Sequence, residues 1–279
     1  MTTYIIISVI VFFVLFSIAM FIVPPWFIYT KTLRKNSPDQ WSRENNPEML
    51  PIIKEQGAVW HEAHKEYMRE VHIVNNGIDL YGEYYDLGNK KCVVILSGRT
   101  ETLIYGYYFA PPYCESGYNI LVIDPRAHGK SGGRFNTIGF EESKDALEWV
   151  RFLHDKMGME SVIYHGICIG AATGMLGIAS TDCPEYLDAI ITEGMFPCFN
   201  ESMRNHLKEK KKPNIGTLWM IDNWMKHYTG HSMRRGPIDV IGNYHKPLLM
   251  LHSREDKYSL PKNAQKLFDK CPSRQKQLV

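Results

Sequence analysis

The stretch that decides the fold of this chain is Val162-Ile163-Tyr164-His165-Gly166-Ile167-Cys168-Ile169-Gly170-Ala171-Ala172. Its first residues favour a buried strand, and its small last residues favour the start of a helix. Between them stands Gly-x-Cys-x-Gly, the pattern of a nucleophile elbow with a thiol where a hydroxyl usually stands. Such a turn exposes one side chain and directs N–H groups of the helix start towards whatever that side chain attacks. The alternative interpretation is that Cys168 is a small buried residue in a tight turn.

Outward from this turn, apolar strands alternate with helical segments. Apolar runs predict strands at 92–96, 120–123, 161–164, 187–192 and 248–251, and a last strand that starts at 277. Helical patterns cover 52–71, 140–157, 170–179 and 261–270, and Asn75-Asn76-Gly77 predicts a hairpin over 71–85. The alternation predicts an α/β fold, with a mostly parallel sheet flanked by helices, over 52–279. It stops between about 199 and 245, which we interpret as a helical cap inserted over the carboxyl edge of the sheet.

The first thirty residues predict a transmembrane helix. Residues 4–23 are apolar except for two serines, which is long enough to cross a bilayer core, and Trp26 and Tyr29 follow as interfacial aromatics. We therefore expect a single-pass membrane anchor over 1–30, a polar tether over 31–51 and the lipid bilayer as a partner. Lys31, Arg34 and Lys35 follow the span, which favours a cytoplasmic main domain. A cleaved signal peptide is the competing interpretation, although no basic stretch precedes the apolar core.

Composition and motifs argue against several other classes of function. The 279 residues carry a formal net charge of +2, too balanced for a nucleic-acid-binding protein. Gly129-Lys130-Ser131 lacks the first glycine of a phosphate-binding loop, and His61-Glu62-Ala63-His64 is one residue short of the zinc-protease motif. The six cysteines have no metal-ligand spacing, so we expect no cofactor and no metal.

Three positions complete a possible reaction centre around Cys168. The backbone N–H of Ile169 would point at the oxyanion of a tetrahedral intermediate, and the N–H of Arg99, in the loop after strand 92–96, is the candidate second donor. A glycine-containing turn without a ligand is the alternative for that loop. Asp256 follows strand 248–251 and is our choice, over Glu255, for the acid that orients a histidine. Both carboxylates could instead be ordinary loop charges.

These stretches, together with Asp124-Pro125-Arg126-Ala127-His128-Gly129-Lys130-Ser131-Gly132-Gly133, resemble the α/β-hydrolase superfamily from about residue 71 to the end. Within it the chain resembles the membrane-anchored bacterial branch related to serine aminopeptidases and acyl esterases. The resemblance implies a nucleophile–acid–histidine triad, with Cys168 and Asp256 in the first two positions. It also implies that His128 supports the site and is not the catalytic histidine.

The sequence departs from that pattern at two positions. Cysteine replaces the usual serine nucleophile, as it does in α/β-hydrolases that resemble dienelactone hydrolase. The family's catalytic histidine follows the last strand, and no residue here matches that position. Three explanations stay open: a sequence truncated relative to the natural protein, a degenerate non-catalytic member, or a substitute base from the cap. The cap histidines are His206, His227, His231 and His245.

The sequence thus favours a membrane-tethered hydrolase of a carboxylic ester, thioester or related acyl bond in a small-molecule substrate. The apolar cap residues 219–221, 224 and 225 are consistent with an acyl pocket, or with ordinary packing. A peptidase and a non-catalytic binding or scaffold protein on the same fold are the alternatives, because fold does not fix function.

Overall fold

A computed structural model of the chain describes residues 2–38, 40–42, 51–212 and 215–279. Within those residues, eight strands form one sheet in the order β1-β2-β4-β3-β5-β6-β7-β8. Their bounds are β1 (Met68–Asn75), β2 (Ile78–Tyr85), β3 (Lys91–Leu96), β4 (Asn119–Ile123), β5 (Ser161–Ile167), β6 (Leu187–Glu193), β7 (Leu248–Leu251) and β8 (Lys276–Leu278). Strands β1, β2 and β4 pair antiparallel and the others pair parallel, which confirms the predicted mostly parallel sheet.

The helices of the same residues lie between and around these strands. They are α1 (Thr2–Phe21), α2 (Val23–Leu33), α3 (Pro51–His64), α4 (Ile104–Tyr107), α5 (Pro111–Glu115), α6 (Phe140–Asp155), α7 (Ile169–Ile178), α8 (Phe199–Glu209), α9 (Ile215–Thr229), α10 (Pro237–Val240) and α11 (Pro261–Lys270). The helix predicted over 52–71 ends at His64. After one 3₁₀ turn, Met68 begins β1, because the alternating pattern of this strand starts there.

The core is built on both faces of the sheet. Alternate side chains of β3 face opposite sides, so Val94 packs with α6 and α7 while Val93 and Ile95 pack with α4. The tight turn between β1 and β2 places Asn76 at φ 50° and Gly77 at φ 74°, as a two-residue hairpin requires. Helices α8, α9 and α10 lie between β6 and β7, and we call residues 199–245 the cap.

Helix α1 has the composition of a membrane span. Among the described residues, only the helix over Thr3–Leu33 is both long and apolar enough to cross a membrane, by length and composition. A signal sequence would have the same length and apolar composition. The described large apolar side chains of α1 are exposed, so this helix is not part of the core.

The residues that follow α1 contact the domain. Leu33 of α2 is fully buried, and the ring of Trp41 stacks on that of His128 at 4.6 Å. Arg34 forms an isolated antiparallel bridge with Phe135. The polar tether predicted over 31–51 includes residues 43–50, which lie outside the described residues.

Candidate active site

Cys168 stands at the predicted sharp turn between β5 and α7. Its φ of 52° and ψ of −107° are unusual for a residue with a side chain, and α7 begins at the next residue. The backbone N–H of Cys168 donates to the carbonyl oxygen of Glu193 at 2.8 Å, which ties the turn to the end of β6. The turn therefore projects the sulfur from the carboxyl edge of the sheet.

The two glycines of Gly-x-Cys-x-Gly have a steric explanation. A Cβ on Gly166 would lie 2.3 Å from the carbonyl oxygen of Gly170, and a Cβ on Gly170 would lie 2.1 Å from the carbonyl oxygen of Leu96. Both obstacles are backbone atoms, which cannot rotate away. Only glycine allows β5 to turn this sharply into α7 while α7 packs on the end of β3.

The environment of the sulfur disfavours its ionised form. Cys168 is half-buried, and burial raises the pKa of its thiol to about 12, with smaller contributions in the same direction from the carboxylates of Glu101 and Asp256. The Arg99 guanidinium and a hydrogen bond from the Ile169 N–H lower this pKa, each by less than burial or Glu101 raises it. The thiol is thus affected by Arg99, Ile169 and Asp256 and also by Glu101, which the sequence analysis had missed. The effect of Arg99 comes from its guanidinium, whereas the sequence analysis selected its backbone N–H.

Two backbone N–H groups of the loop after β3 form hydrogen bonds within the domain. The Gly98 N–H donates to Oε2 of Glu101 at 2.6 Å, and the Thr100 N–H donates to Nε2 of His128 at 3.1 Å. Thr100 has a φ of 64°, so the loop folds back on itself on either side of Arg99. The sequence offered no signal for Glu101, because a single charged residue in a loop has no pattern.

His128 holds the loop after β3 in place through its hydrogen bond with Thr100. Its Nδ1 donates to the carbonyl oxygen of Arg126 at 3.1 Å, which leaves Nε2 as the acceptor for Thr100. The ring is fully buried, and this burial lowers the pKa of His128 to about 4, so the imidazole is neutral at pH 7. The neighbouring Arg126 forms a buried, two-bonded ion pair with Asp145, both distances being 2.6 Å.

Asp256 lies in the loop after β7 and its carboxylate is held in place. Oδ1 accepts hydrogen bonds from the N–H groups of Tyr258 and Ser259, both at 2.8 Å. Oδ2 points towards Gly194 at the end of β6, where a Cβ would lie 3.7 Å away. The alternative acid, Glu255, is exposed. Of the two carboxylates, Asp256 is the one that contributes to the raised pKa of the Cys168 thiol.

Within the described part of the chain, no histidine forms a hydrogen bond with the sulfur of Cys168. His252 is the nearest to the acid: its Nε2 lies 3.9 Å from Oδ2 of Asp256 but donates to the carbonyl oxygen of Ser259 at 2.5 Å. His165 is buried on β5 and contacts Tyr113.

The cap histidines have other contacts. His231 pairs with Glu141 at 2.9 Å, and His227 packs against Tyr228. The ring of His206 lies tilted against the ring of Tyr258, with ring centroids 5.0 Å apart, and Tyr258 is two residues after Asp256. His245 is exposed.

Within the described ranges of the chain, no three His, Cys, Asp or Glu side chains lie close enough together to hold a metal ion. His61 and His64, the near-match to a zinc motif, contact Tyr85 and the carbonyl oxygen of Trp60 respectively. Both belong to the packing of α3 on the sheet.

Comparisons with known proteins agree with this architecture. The family model for the alpha/beta hydrolase fold matches residues 91–224. The chain is 30% identical over 181 residues to the uncharacterized protein YqkD of Bacillus subtilis (strain 168), covering 64% of this chain. It spans 59% of the length of that curated relative.

Solved structures resemble it in fold. The esterase Pf2001 of Pyrococcus furiosus has a TM-score of 0.64 at 20% identity, over 78% of this chain and 84% of that one. An alpha-beta hydrolase of Vibrio vulnificus has a TM-score of 0.62 at 15% identity, over 91% and 85%. The acylaminoacyl peptidase of Pyrococcus horikoshii has 0.55 at 17% identity, over 76% and 36%. At these identities the likeness concerns the fold.

Proposed function

We propose that this chain, which has the α/β-hydrolase fold, is a membrane-tethered hydrolase of a carboxylic ester, thioester or related acyl bond. Cys168 is the proposed nucleophile. The observation that supports this most strongly is the strained turn at Cys168, where α7 begins and where Glu101 and Asp256 affect the thiol.

The proposed reaction has two steps. The sulfur attacks the carbonyl carbon, the N–H groups of Ile169 and Arg99 hold the oxyanion, and the alcohol or thiol leaves with a proton. Water then cleaves the thioester on Cys168 and releases the acid. Both steps need a base oriented by Asp256, and no described imidazole contacts the sulfur. We therefore propose that turnover by this chain is very low, because loss of a triad member costs several orders of magnitude in rate.

The N-terminal helix supports the proposed single-pass tether. Helix α1 is apolar and exposed, and three cations follow the span, Lys31, Arg34 and Lys35. Their position favours a cytoplasmic main domain, by the preference of membrane proteins for positive charge on that side.

A non-catalytic binding protein on the same fold is the second candidate. The raised pKa of Cys168 favours it, because a protonated thiol is a poor nucleophile. The two candidates differ in whether the sulfur becomes acylated.

The deciding experiment incubates the full chain in detergent with a short-chain thioester and with a short-chain ester. Intact-protein mass spectrometry then detects an acyl adduct, and product release is timed. We expect an adduct and slow hydrolysis that are absent in Cys168→Ala but retained in Cys183→Ala, a half-buried cysteine before β6. Equal hydrolysis by Cys168→Ala and the unmodified chain would refute the proposal.

A further inference from the structure

The segment that follows helix α2, residues 34–38 and 40–42, packs against the loop after β4, and we call it the connecting segment. Its backbone joins this loop where the Lys35 N–H donates to the Arg134 carbonyl oxygen at 2.8 Å. Trp41 is only 7% exposed, and its ring lies almost parallel to the ring of His128, at an interplanar angle of 16°. The connecting segment is therefore docked on the domain at His128.

The connecting segment also holds both polar groups of the Gly129 backbone. The Gly129 N–H donates to the Trp41 carbonyl oxygen at 3.1 Å, and Nζ of Lys35 donates to the Gly129 carbonyl oxygen at 2.8 Å. Gly129 has a φ of 49°, and a Cβ there would lie 2.0 Å from Oδ2 of Asp124, so this turn requires glycine. The connecting segment thus fixes the residue that directly follows His128, in addition to covering the imidazole ring.

His128 connects this contact to the loop after β3. Its Nε2 accepts the Thr100 N–H at 3.1 Å, and its ring is fully buried. Thr100 stands between Arg99 and Glu101, and the charges of both residues affect the pKa of the Cys168 thiol. A ring that is stacked on one face and bonded at its edge cannot turn without losing both contacts. The position of the Arg99 N–H, the proposed second oxyanion donor, therefore depends on the ring of His128.

Backbone strain occurs along the same line of contacts. The φ angles of Trp41, Thr100 and Cys168 are 56°, 64° and 52°. A positive φ is uncommon for residues other than glycine, and for the β-branched Thr100 it is a genuine outlier. Such conformations persist only where the surrounding structure fixes them, and they concentrate at functional sites. Attachment of a segment to the surface of a domain does not by itself require strain at the residue that makes the contact.

We propose that the connecting segment positions the oxyanion loop, with Trp41 as a positioning residue. Through His128 it fixes Thr100, and so holds the backbone N–H of Arg99 in place for the oxyanion. This inference rests on the proposed function above. It adds a second role for the residues that follow the proposed anchor, which complete the reaction centre as well as tethering it.

Two reactions of Cys168 separate oxyanion stabilisation from other effects. Acylation by a short-chain thioester passes through an oxyanion, whereas exchange with the disulfide dithiodipyridine forms none. In the full chain in detergent, Trp41→Leu should slow acylation by about tenfold or more, since removal of an oxyanion donor costs about 10²–10³-fold and a displaced donor retains a part of that. The same variant should leave the rate of disulfide exchange at Cys168 unchanged.

Three further variants complete the design. Trp41→Phe keeps an aromatic ring on His128 and should retain most of the acylation rate. Lys35→Met removes the bond to the Gly129 carbonyl oxygen without opening a cavity, and it should slow acylation but not exchange. Trp60→Leu is the matched control, because Trp60 is also 7% exposed and stacks on another histidine, His64, but belongs to α3. It should leave the ratio of the two rates unchanged.

The outcomes separate this inference from the proposed function. If the unmodified chain is acylated on Cys168, and both Trp41→Leu and Lys35→Met are acylated as fast, the positioning role is refuted while the proposed function stands. Equal slowing of acylation and exchange in these variants would also refute it, because that result shows a general loss of structure. If Trp41→Leu does not fold, Lys35→Met decides by the same comparison. If the unmodified chain is not acylated, the proposed function is refuted, and this inference with it.

Discussion

The reactivity of the Cys168 thiol is the most direct measure of its surroundings. With a pKa of about 12 against an ordinary 9.0, the thiolate fraction at pH 8 is about 1 in 10⁴ instead of about 1 in 10. A more basic thiolate is intrinsically more nucleophilic, with a Brønsted coefficient of about 0.4–0.5. A pKa that is three units higher therefore makes each thiolate react roughly 20-fold faster. Exchange with a small neutral disulfide should then be about 40-fold slower than for an ordinary thiol.

The assay exposes the full chain in detergent to dithiodipyridine between pH 7 and 10.5 and follows Cys168 by peptide mass spectrometry. A cysteine peptide is the reference. The rate should rise about tenfold per pH unit without reaching a plateau. Glu101→Gln should speed the exchange at pH 8, because it removes a negative charge near the sulfur. A plateau below pH 8, or exchange faster than the peptide, would refute the view that this environment keeps the thiol protonated.

Two further predictions concern the loops that build the site. Gly170→Ala should lower the free energy of unfolding by about 3 kcal/mol or more, since its Cβ would meet the Leu96 carbonyl oxygen, whereas Gly216→Ala, with open space around it, should change it by less than about 1 kcal/mol. Similar urea midpoints for the two variants would contradict this. Because the folded pKa of His128 is lowered from 6.5 to about 4, unfolding binds a proton in that window, and stability should fall by about 3 kcal/mol from pH 7 to pH 4. In His128→Gln, urea unfolding should show a smaller fall in stability between pH 7 and pH 4. An equal fall would exclude His128 as its source.

The elements nearest Cys168 could be predicted because their sequence signals are local. Continuous apolar runs gave the parallel strands to within three residues, because strands buried on both faces exclude polar side chains. The glycines at 166 and 170 predicted the turn, since their steric requirement depends on backbone atoms close by.

The packing of α2 could not be predicted in the same way. In an apolar segment, the side chains that face lipid and those that face protein look alike, so Phe27 and Leu33 are not distinguishable from the pattern. The partners of Tyr29 and Trp41 lie far along the chain, at Tyr228 and His128. Glu101 was missed for a related reason, because its effect on Cys168 depends on how the loop after β3 folds back.

The strained backbone and the acidic surroundings of Cys168 point to the same chemistry. Cys168 combines a φ of 52° with a ψ of −107°, outside the left-handed helical region, and such a sparsely populated conformation costs a non-glycine residue about 1–3 kcal/mol. The proposed role of Cys168 as nucleophile would account for this strain. The carboxylates of Glu101 and Asp256 oppose a lone thiolate. They would stabilise an imidazolium beside it by the same Coulomb interaction, and so favour a thiolate–imidazolium pair. The two carboxylates that add to the effect of burial on the lone thiol are therefore those that would favour the ion pair of the proposed cysteine–histidine–acid triad.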